Sequence, residues 1–368
     1  MNASHPTQPL RPQWRQVAVF LGLTFAISWG IDGLLALTAG YGANSATATL
    51  LQMQMLVPAA VAIALQQFAF RDNPLFVRNA IGRARWFLHF YLLFCLIFLV
   101  LAVLSALTGQ AVYNQVASLM AYAGLLVVVV LRLLARDRSF AVSGLAFGKF
   151  RWWLLHGGLV IAYYGLLTVL NAVFHLGQPA DWGLIAFSLG LPISPLAAAA
   201  LIAFQTILVG PILGLLMGFG EEYGWRSYLQ GELFKLGRIR GVLLLGVIWG
   251  IWHWPVIWMG HNYPGYPVLG SLLMTLYTIF LAIFLGWVML KTGSIWLIAF
   301  LHAINNQVAA FFMGFVYPIN DPVYSFGVGL YTLVVAVPLA WLILRDPVWR
   351  EQPAPVLPLT ELTGQPQA

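Results

Sequence analysis

Two adjacent glutamates, Glu221 and Glu222, follow a long apolar run, and Arg226 lies one helical turn after the second. The chain carries only 11 acidic residues in 368, and an ionisable group buried at a membrane is costly unless it is paired. Glu222 and Arg226 stand at positions i and i+4, so we predict an internal ion pair between them. Glu221 is then the candidate general base, a carboxylate that activates water.

Two histidines lie in later apolar runs, each with a neighbour one helical turn away. His253 lies in Trp-Gly-Ile-Trp-His-Trp-Pro with Trp249 before it, and His302 lies in Leu-His-Ala-Ile-Asn-Asn with Asn306 after it. We predict that His253 orients or deprotonates the water, while His302 and Asn306 donate hydrogen bonds to an oxyanion. Asn305 is an alternative donor, although it points away from the face of His302.

A base, a water-orienting group and a pair of oxyanion donors together indicate hydrolysis of an amide bond. The three motifs, Glu-Glu-x-x-x-Arg, aromatic-x-x-x-His and His-x-x-x-Asn, resemble in this order the CPBP family of intramembrane proteases. That family comprises CAAX proteases and bacteriocin-processing enzymes, including the Ras-converting CAAX endopeptidase. The resemblance covers about residues 200–312.

The resemblance implies an intramembrane endopeptidase of the glutamic type that needs no cofactor. Its pattern assigns a catalytic Glu, a second Glu with its Arg, a water-activating His and an oxyanion pair, which here are Glu221, Glu222 with Arg226, His253, and His302 with Asn306. The second motif usually begins with Phe, and Trp249 in that place keeps an aromatic wall beside the site.

Two other functions remain open at this point. A divalent metal, zinc, could be held by Glu221, His253 and His302, because two histidines and a carboxylate can form a catalytic zinc site. The chain has no His-Glu-x-x-His motif, however, and Asn306 would contact only an oxyanion in such a site. The other alternative is a non-catalytic transporter or immunity protein of the membrane. Transporters often carry charges at the midplane of two related halves, and spans one to five hold no comparable charged set.

The amino-acid composition indicates that these residues belong to a membrane protein. The chain is 61% hydrophobic and 8% charged, with a mean hydropathy of +0.85, whereas soluble chains carry about 25% charged residues. The single Cys95 lies in an apolar run and excludes a disulfide framework. The net charge of +7 follows membrane topology, so we expect no nucleic-acid partner.

The expected fold class is all-α, a polytopic bundle of about ten transmembrane helices. The candidate spans lie at about 17–39, 46–70, 86–107, 116–135, 152–174, 196–220, 241–259, 269–290, 295–315 and 327–345. If the segments between them alternate from an inside N-terminus, all 18 Lys and Arg residues fall inside, which predicts that both termini are cytoplasmic. Asp32 lies within the first span and is expected to be structural.

We therefore divide the chain into five parts: a cytoplasmic lead at 1–16, N-terminal membrane helices at 17–195, catalytic helices at 196–315, a last span within 316–350 and a disordered tail at 351–368. The expected location is a bacterial plasma membrane, crossed many times. The expected partners are the lipid bilayer and a membrane-anchored protein or peptide substrate, cleaved near the cytoplasmic face.

Overall fold

The computed structural model describes residues 11–38, 40–42, 44–70, 82–134, 139–190 and 192–351. Across these ranges the regular structure is helical, and β-pairing is limited to one isolated bridge between Gly177 and Ile319. The predicted all-α class is confirmed. The disordered tail lies almost wholly outside the described residues, as do the first ten residues of the predicted lead.

Eleven helices build the described bundle, together with short helical turns. They are α1 Trp14–Leu37, α2 Ser45–Ala64, α3 Gly82–Thr108, α4 Ala111–Leu134, α5 Phe150–Val173, α6 Pro195–Phe204, α7 Leu215–Glu222, α8 Arg238–Trp252, α9 Pro267–Thr292, α10 Ile295–Phe311 and α11 Leu333–Leu344. Wider π-helical turns extend α2, α6, α7 and α10, at Leu65–Ala69, Gln205–Val209, Tyr223–Leu229 and Phe312–Val316.

Eight helices of the described chain are long and apolar enough to cross a membrane, which makes this a multi-pass membrane protein. They are α1 to α6, α9 and α10, with α2, α6 and α10 counted together with their extensions. The predicted seventh span, 241–259, is instead the 15-residue helix α8 followed by the short helix Trp254–Trp258. The predicted tenth span is a shorter apolar helix, Leu330–Leu344. The ten-span count is therefore not reproduced, while the cytoplasmic placement of both termini stays a prediction.

The chain around the glutamate pair departs from the prediction in one respect. We expected Glu221 at the inner end of a span and Arg226 in the loop beyond it. The backbone instead stays helical beyond the predicted end of the span. Gly214 takes part in helical backbone hydrogen bonds on both sides, and helical turns continue from Leu215 to Leu236, so Arg226 lies within them. Hydropathy treats charged residues as the end of a span, but here Arg226 is buried and paired inside the bundle.

Glycines allow the helix of the glutamate pair to lie deep between two neighbours. A Cβ on Gly218 would collide with the backbone carbonyl of Ala299 on α10. On another face, a Cβ on Gly220 would lie 2.5 Å from the carbonyl oxygen of Met55, and one on Gly224 would lie 2.5 Å from Pro58, both on α2. The absence of side chains lets the backbones approach closely, and it positions α7 between α2 and α10.

A second pair of glycines brings α8 against α9. A Cβ on Gly246 would lie 2.5 Å from the Cα atom of Ile279, and one on Gly250 would lie equally close to Thr275. Gly214 and Gly218 have the same spacing of four residues, and a Cβ on Gly214 would lie 3.2 Å from the Cβ atom of Ala303 on α10, so each pair marks a helix contact. Through these contacts α8 presents Trp249 toward α7.

Candidate active site

The two glutamates diverge because consecutive residues of a helix point in different directions. Glu221 and Glu222 are 3% and 0% exposed. Oε2 of Glu221 accepts a hydrogen bond of 2.9 Å from the indole Nε1 of Trp249 on α8. Oε1 of Glu222 lies 2.8 Å from Nδ1 of His302 on α10, and its Oε2 lies 3.1 Å from Nε of Arg226. Each carboxylate therefore belongs to a different set of partners.

The expected ion pair between Glu222 and Arg226 is present, with both side chains fully buried. The guanidinium carbon of Arg226 also lies 4.7 Å from the ring centre of Trp249, in the geometry of a cation–π contact. Arg226 thus contacts Glu222 directly, and it also contacts Trp249, the hydrogen-bond donor to Glu221. A buried charge needs such partners because its desolvation is otherwise uncompensated.

Trp249 and His253 lie at the end of α8, which stops at Trp252. The backbone N–H of His253 donates to Gly250 at 3.1 Å, so the carbonyl of Trp249 loses its usual helical partner. Nδ1 of His253 lies 2.8 Å from that carbonyl oxygen. A carbonyl only accepts, so Nδ1 carries the hydrogen and the neutral ring keeps Nε2 as its acceptor.

His302 lies between the two carboxylates. Its Nδ1 atom donates to Glu222, since a carboxylate only accepts. Its Nε2 atom lies 3.6 Å from Oε1 of Glu221, which is too long for a direct hydrogen bond. The ring centre is 5.7 Å from that of Trp249. The structure therefore brings together four side chains from three separate motifs, with Arg226 beside them. They are Glu221, Glu222, Trp249 and His302.

The two asparagines after His302 have different surroundings. Asn305 is 5% exposed; its Oδ1 accepts from the hydroxyl of Tyr164 on α5, and its Nδ2 donates to the hydroxyl of Tyr277 on α9 at 2.6 Å and to Oδ1 of Asn306 at 3.2 Å. Asn306 is exposed. Sequence reasoning missed both tyrosines, because nothing in the spacing of residues on separate helices points to their contact with Asn305.

Asp32, the acidic residue of the first span, is buried between α1 and α2 and accepts a hydrogen bond of 3.0 Å from Gln54. It has no bond to the glutamate pair among the described residues, and its structural role stays a prediction.

The alternative zinc ligands do not form a metal site as they are arranged. Across the described ranges no group of three or more His, Cys, Asp or Glu side chains is placed to hold a metal ion. Nδ1 of His302 is bonded to Glu222 and Nδ1 of His253 to a backbone carbonyl, so Nε2 is the nitrogen of each ring without a hydrogen-bond partner. That the reaction needs no metal stays a prediction.

Comparison with known proteins points to the family that the motifs resemble. Residues 203–308 match the model of the Rce1-like family, described as type II CAAX prenyl endopeptidase Rce1-like. Glu221, Trp249, His253, His302 and Asn306 all fall within that segment. The segment is Rce1-like. The resemblance to the CPBP family of CAAX proteases is thus confirmed for this part of the chain.

One curated relative supports the same relationship. CAAX prenyl protease 2 from Methanococcus maripaludis is 27% identical over 139 residues, which cover 34% of this chain and 51% of the relative. The match therefore spans about half the length of that relative. No solved structure gives a significant match to the chain.

Proposed function

We propose that this protein is an intramembrane endopeptidase that hydrolyses a peptide bond of a membrane-associated protein or peptide near the cytoplasmic face. The observation that carries the proposal is the environment of Glu221. Its carboxylate is buried, receives a hydrogen bond from Trp249 and faces Nε2 of His302 across 3.6 Å. A carboxylate held in a desolvated and oriented position is suited to act as a general base.

The proposed reaction begins as Glu221 removes a proton from a water molecule whose oxygen attacks the scissile carbonyl carbon. His253 orients this water through Nε2, because its Nδ1 hydrogen is engaged by the carbonyl of Trp249. The oxyanion of the tetrahedral intermediate accepts hydrogen bonds from Asn306 and from Nε2 of His302, which donates as the imidazolium because its Nδ1 hydrogen is bonded to Glu222. The C–N bond then breaks, and Glu221 passes the proton to the leaving amine, so that one water is consumed per peptide bond.

Exposure of Asn306 supports its part in this reaction. An amide in contact with lipid hydrocarbon would lack hydrogen-bond partners at a cost, so we propose that the exposed side chain of Asn306 meets water or the substrate. The Rce1-like relationship supports a membrane-associated substrate, and the apolar composition supports a membrane location. A bacterial plasma membrane stays a prediction. No cofactor takes part in the proposed reaction.

The decisive experiment compares peptide termini in the membranes and medium of cells that carry wild type or Glu221→Gln. Glutamine keeps the shape of the side chain and can accept from Trp249, but it cannot serve as the base. Mass spectrometry should find new termini in wild type that the variant lacks. Glu351→Gln is the matched control, because that side chain is 64% exposed and lies outside the site. Equal termini in wild type and Glu221→Gln would reject protease function and favour a transporter or immunity protein.

A further inference from the structure

Three side chains from three helices form a closed ring of hydrogen bonds beside Asn306. The hydroxyl of Tyr164 donates to Oδ1 of Asn305 at 3.1 Å, and Nδ2 of Asn305 donates to the hydroxyl of Tyr277 at 2.6 Å. The two tyrosine hydroxyls lie 2.9 Å apart, so the hydroxyl of Tyr277 can donate to that of Tyr164 and close the ring. Each hydroxyl then donates once and accepts once.

The ring and the contact with Asn306 together determine which way the amide of Asn305 faces. Its oxygen points toward the donor Tyr164, which leaves one Nδ2 hydrogen for Tyr277 and the second for Oδ1 of Asn306. The reverse orientation would only reverse the hydrogen bonds around the ring, but it would place the oxygen of Asn305 against the oxygen of Asn306, so this contact selects the observed orientation. Because Tyr164 and Asn305 are 1% and 5% exposed, a broken bond would leave a buried polar group unsatisfied, which is costly.

The orientation is passed on to Asn306. With Oδ1 held by Asn305, the Nδ2 group of Asn306 is directed away from this contact, and no side chain of the described residues accepts from it. Asn305 itself has no hydrogen left to offer a substrate. The side chain of Asn306 can therefore donate to a substrate, whereas that of Asn305 only holds Asn306.

We propose that Tyr164, Tyr277 and Asn305 are positioning residues that hold the amide of Asn306 ready to donate to the oxyanion. The inference rests on the proposed function, since it assigns these residues to the same peptide hydrolysis. Asn306 sits one helical turn after His302 on α10, so the ring sets the direction of one of the two donors. Preorganised donors act without reorganising during the reaction.

The test measures kcat and KM on purified protein with a synthetic peptide copied from the first cleavage site that Glu221→Gln abolishes in cells. Asn306→Ala removes the donor and should lower kcat by about 100-fold. Asn305→Leu keeps the size of the residue but removes its hydrogen bonds, and should lower kcat by about tenfold with KM unchanged, since the donor is present but misplaced. Tyr277→Phe opens the ring at one hydroxyl and should act in the same direction more weakly.

The double variant Asn305→Leu/Asn306→Ala distinguishes positioning from an independent role. A positioning residue has nothing left to position once the donor is gone, so the double variant should be no slower than Asn306→Ala alone. Tyr163→Phe is the matched control: its buried hydroxyl has no partner among the described residues, and its ring stacks on Phe280. We expect its kcat to equal that of wild type.

Either of two results would overturn this inference without affecting the proposed function. The first is a wild-type kcat in folded Asn305→Leu and Tyr277→Phe. The second is a loss of kcat in the double variant equal to the product of the two single losses. Thermal unfolding checks that each variant is folded, and Tyr277→Phe carries the test should Asn305→Leu unfold. Full cleavage by Glu221→Gln is a different outcome, because it rejects the proposed function and the positioning of Asn306 together.

Discussion

Nδ1 of His302 donates to Oε1 of Glu222 at 2.8 Å, and this bond joins α10 to the helix of the glutamate pair. The sequence predicted an ion pair between Glu222 and Arg226. The same carboxylate binds a histidine with one oxygen and an arginine with the other. Glu222 therefore orients a side chain that faces Glu221 as well as neutralising a buried cation, which makes it a support for the proposed base.

Arg226→Leu should destabilise the protein by about 3–5 kcal/mol, because it leaves Glu222 buried without its cation. Unfolding by heat or denaturant in detergent measures the change. Arg240→Leu makes the same substitution at an exposed residue and should alter stability little. Equal effects of the two variants would show that the Glu222–Arg226 pair contributes nothing specific.

Trp249→Phe should lower kcat about tenfold while the protein stays folded, since it removes the indole hydrogen bond to Glu221 but keeps an aromatic ring. Peptide hydrolysis and thermal unfolding are the two measurements. Trp252→Phe is the control, because the indole nitrogen of Trp252 is buried with no hydrogen-bond partner in the described part of the chain. Unchanged turnover in Trp249→Phe would mean that Glu221 does not depend on this donor.

Gly218→Ala should destabilise the bundle by about 1–3 kcal/mol, because the added methyl group meets the carbonyl of Ala299 and forces α7 and α10 apart. Gly231→Ala is the matched control: it lies in the short helix Gln230–Leu233, and a Cβ there would meet nothing within 4 Å. The control should be neutral or slightly stabilising. If both variants melt together with wild type, the close contact of α7 with α10 is wrong.

Chelation separates the glutamic mechanism from the zinc alternative. Treatment with a strong chelator should leave peptide hydrolysis intact, because the proposed reaction activates water with Glu221 and His253, and no three His, Cys, Asp or Glu side chains of the described residues are grouped to hold a metal ion. Activity is measured before treatment, after it and after zinc is added back, with a known zinc protease as the positive control. Loss with chelator and recovery with zinc would overturn the glutamic mechanism.

Asp346 should give the protein a pH-dependent increment of stability outside the membrane spans. Burial by itself raises the pKa of Asp346, but hydrogen bonds from Lys291 and Trp287 lower it from 3.8 to about 2. A lowered carboxylate pKa gives stability that is full above the unfolded value of about 4 and is lost as the pH falls through the folded value.

The test of Asp346 compares unfolding temperatures of wild type and Asp346→Asn. The difference should be constant at neutral and weakly acidic pH and should shrink as the pH falls from about 4 toward about 2. Lys291→Met, which removes a partner 2.8 Å from Asp346, should reduce the difference at neutral pH. A difference that is unchanged at the acid end would contradict the ion-pair explanation.

The amino-acid sequence by itself determined the features that depend on short spacing. Composition required a helical membrane protein, because lipid offers the backbone no hydrogen-bond partners. The Glu222–Arg226 pair followed from one turn of helix. The segment matched by the Rce1-like family model, 203–308, lies within the stretch of about residues 200–312 that the resemblance covers.

Only the tertiary structure decided which helices touch, because periodicity places a side chain on a face but does not say what that face meets. The bonds of Glu221 to Trp249 and of His302 to Glu222 join residues 28 and 80 positions apart, and the ring around Asn305 reaches across 141. Charge also misled the sequence reading: hydropathy ends a span at Glu221, whereas ion pairing and hydrogen bonds let the helix continue with these charges inside.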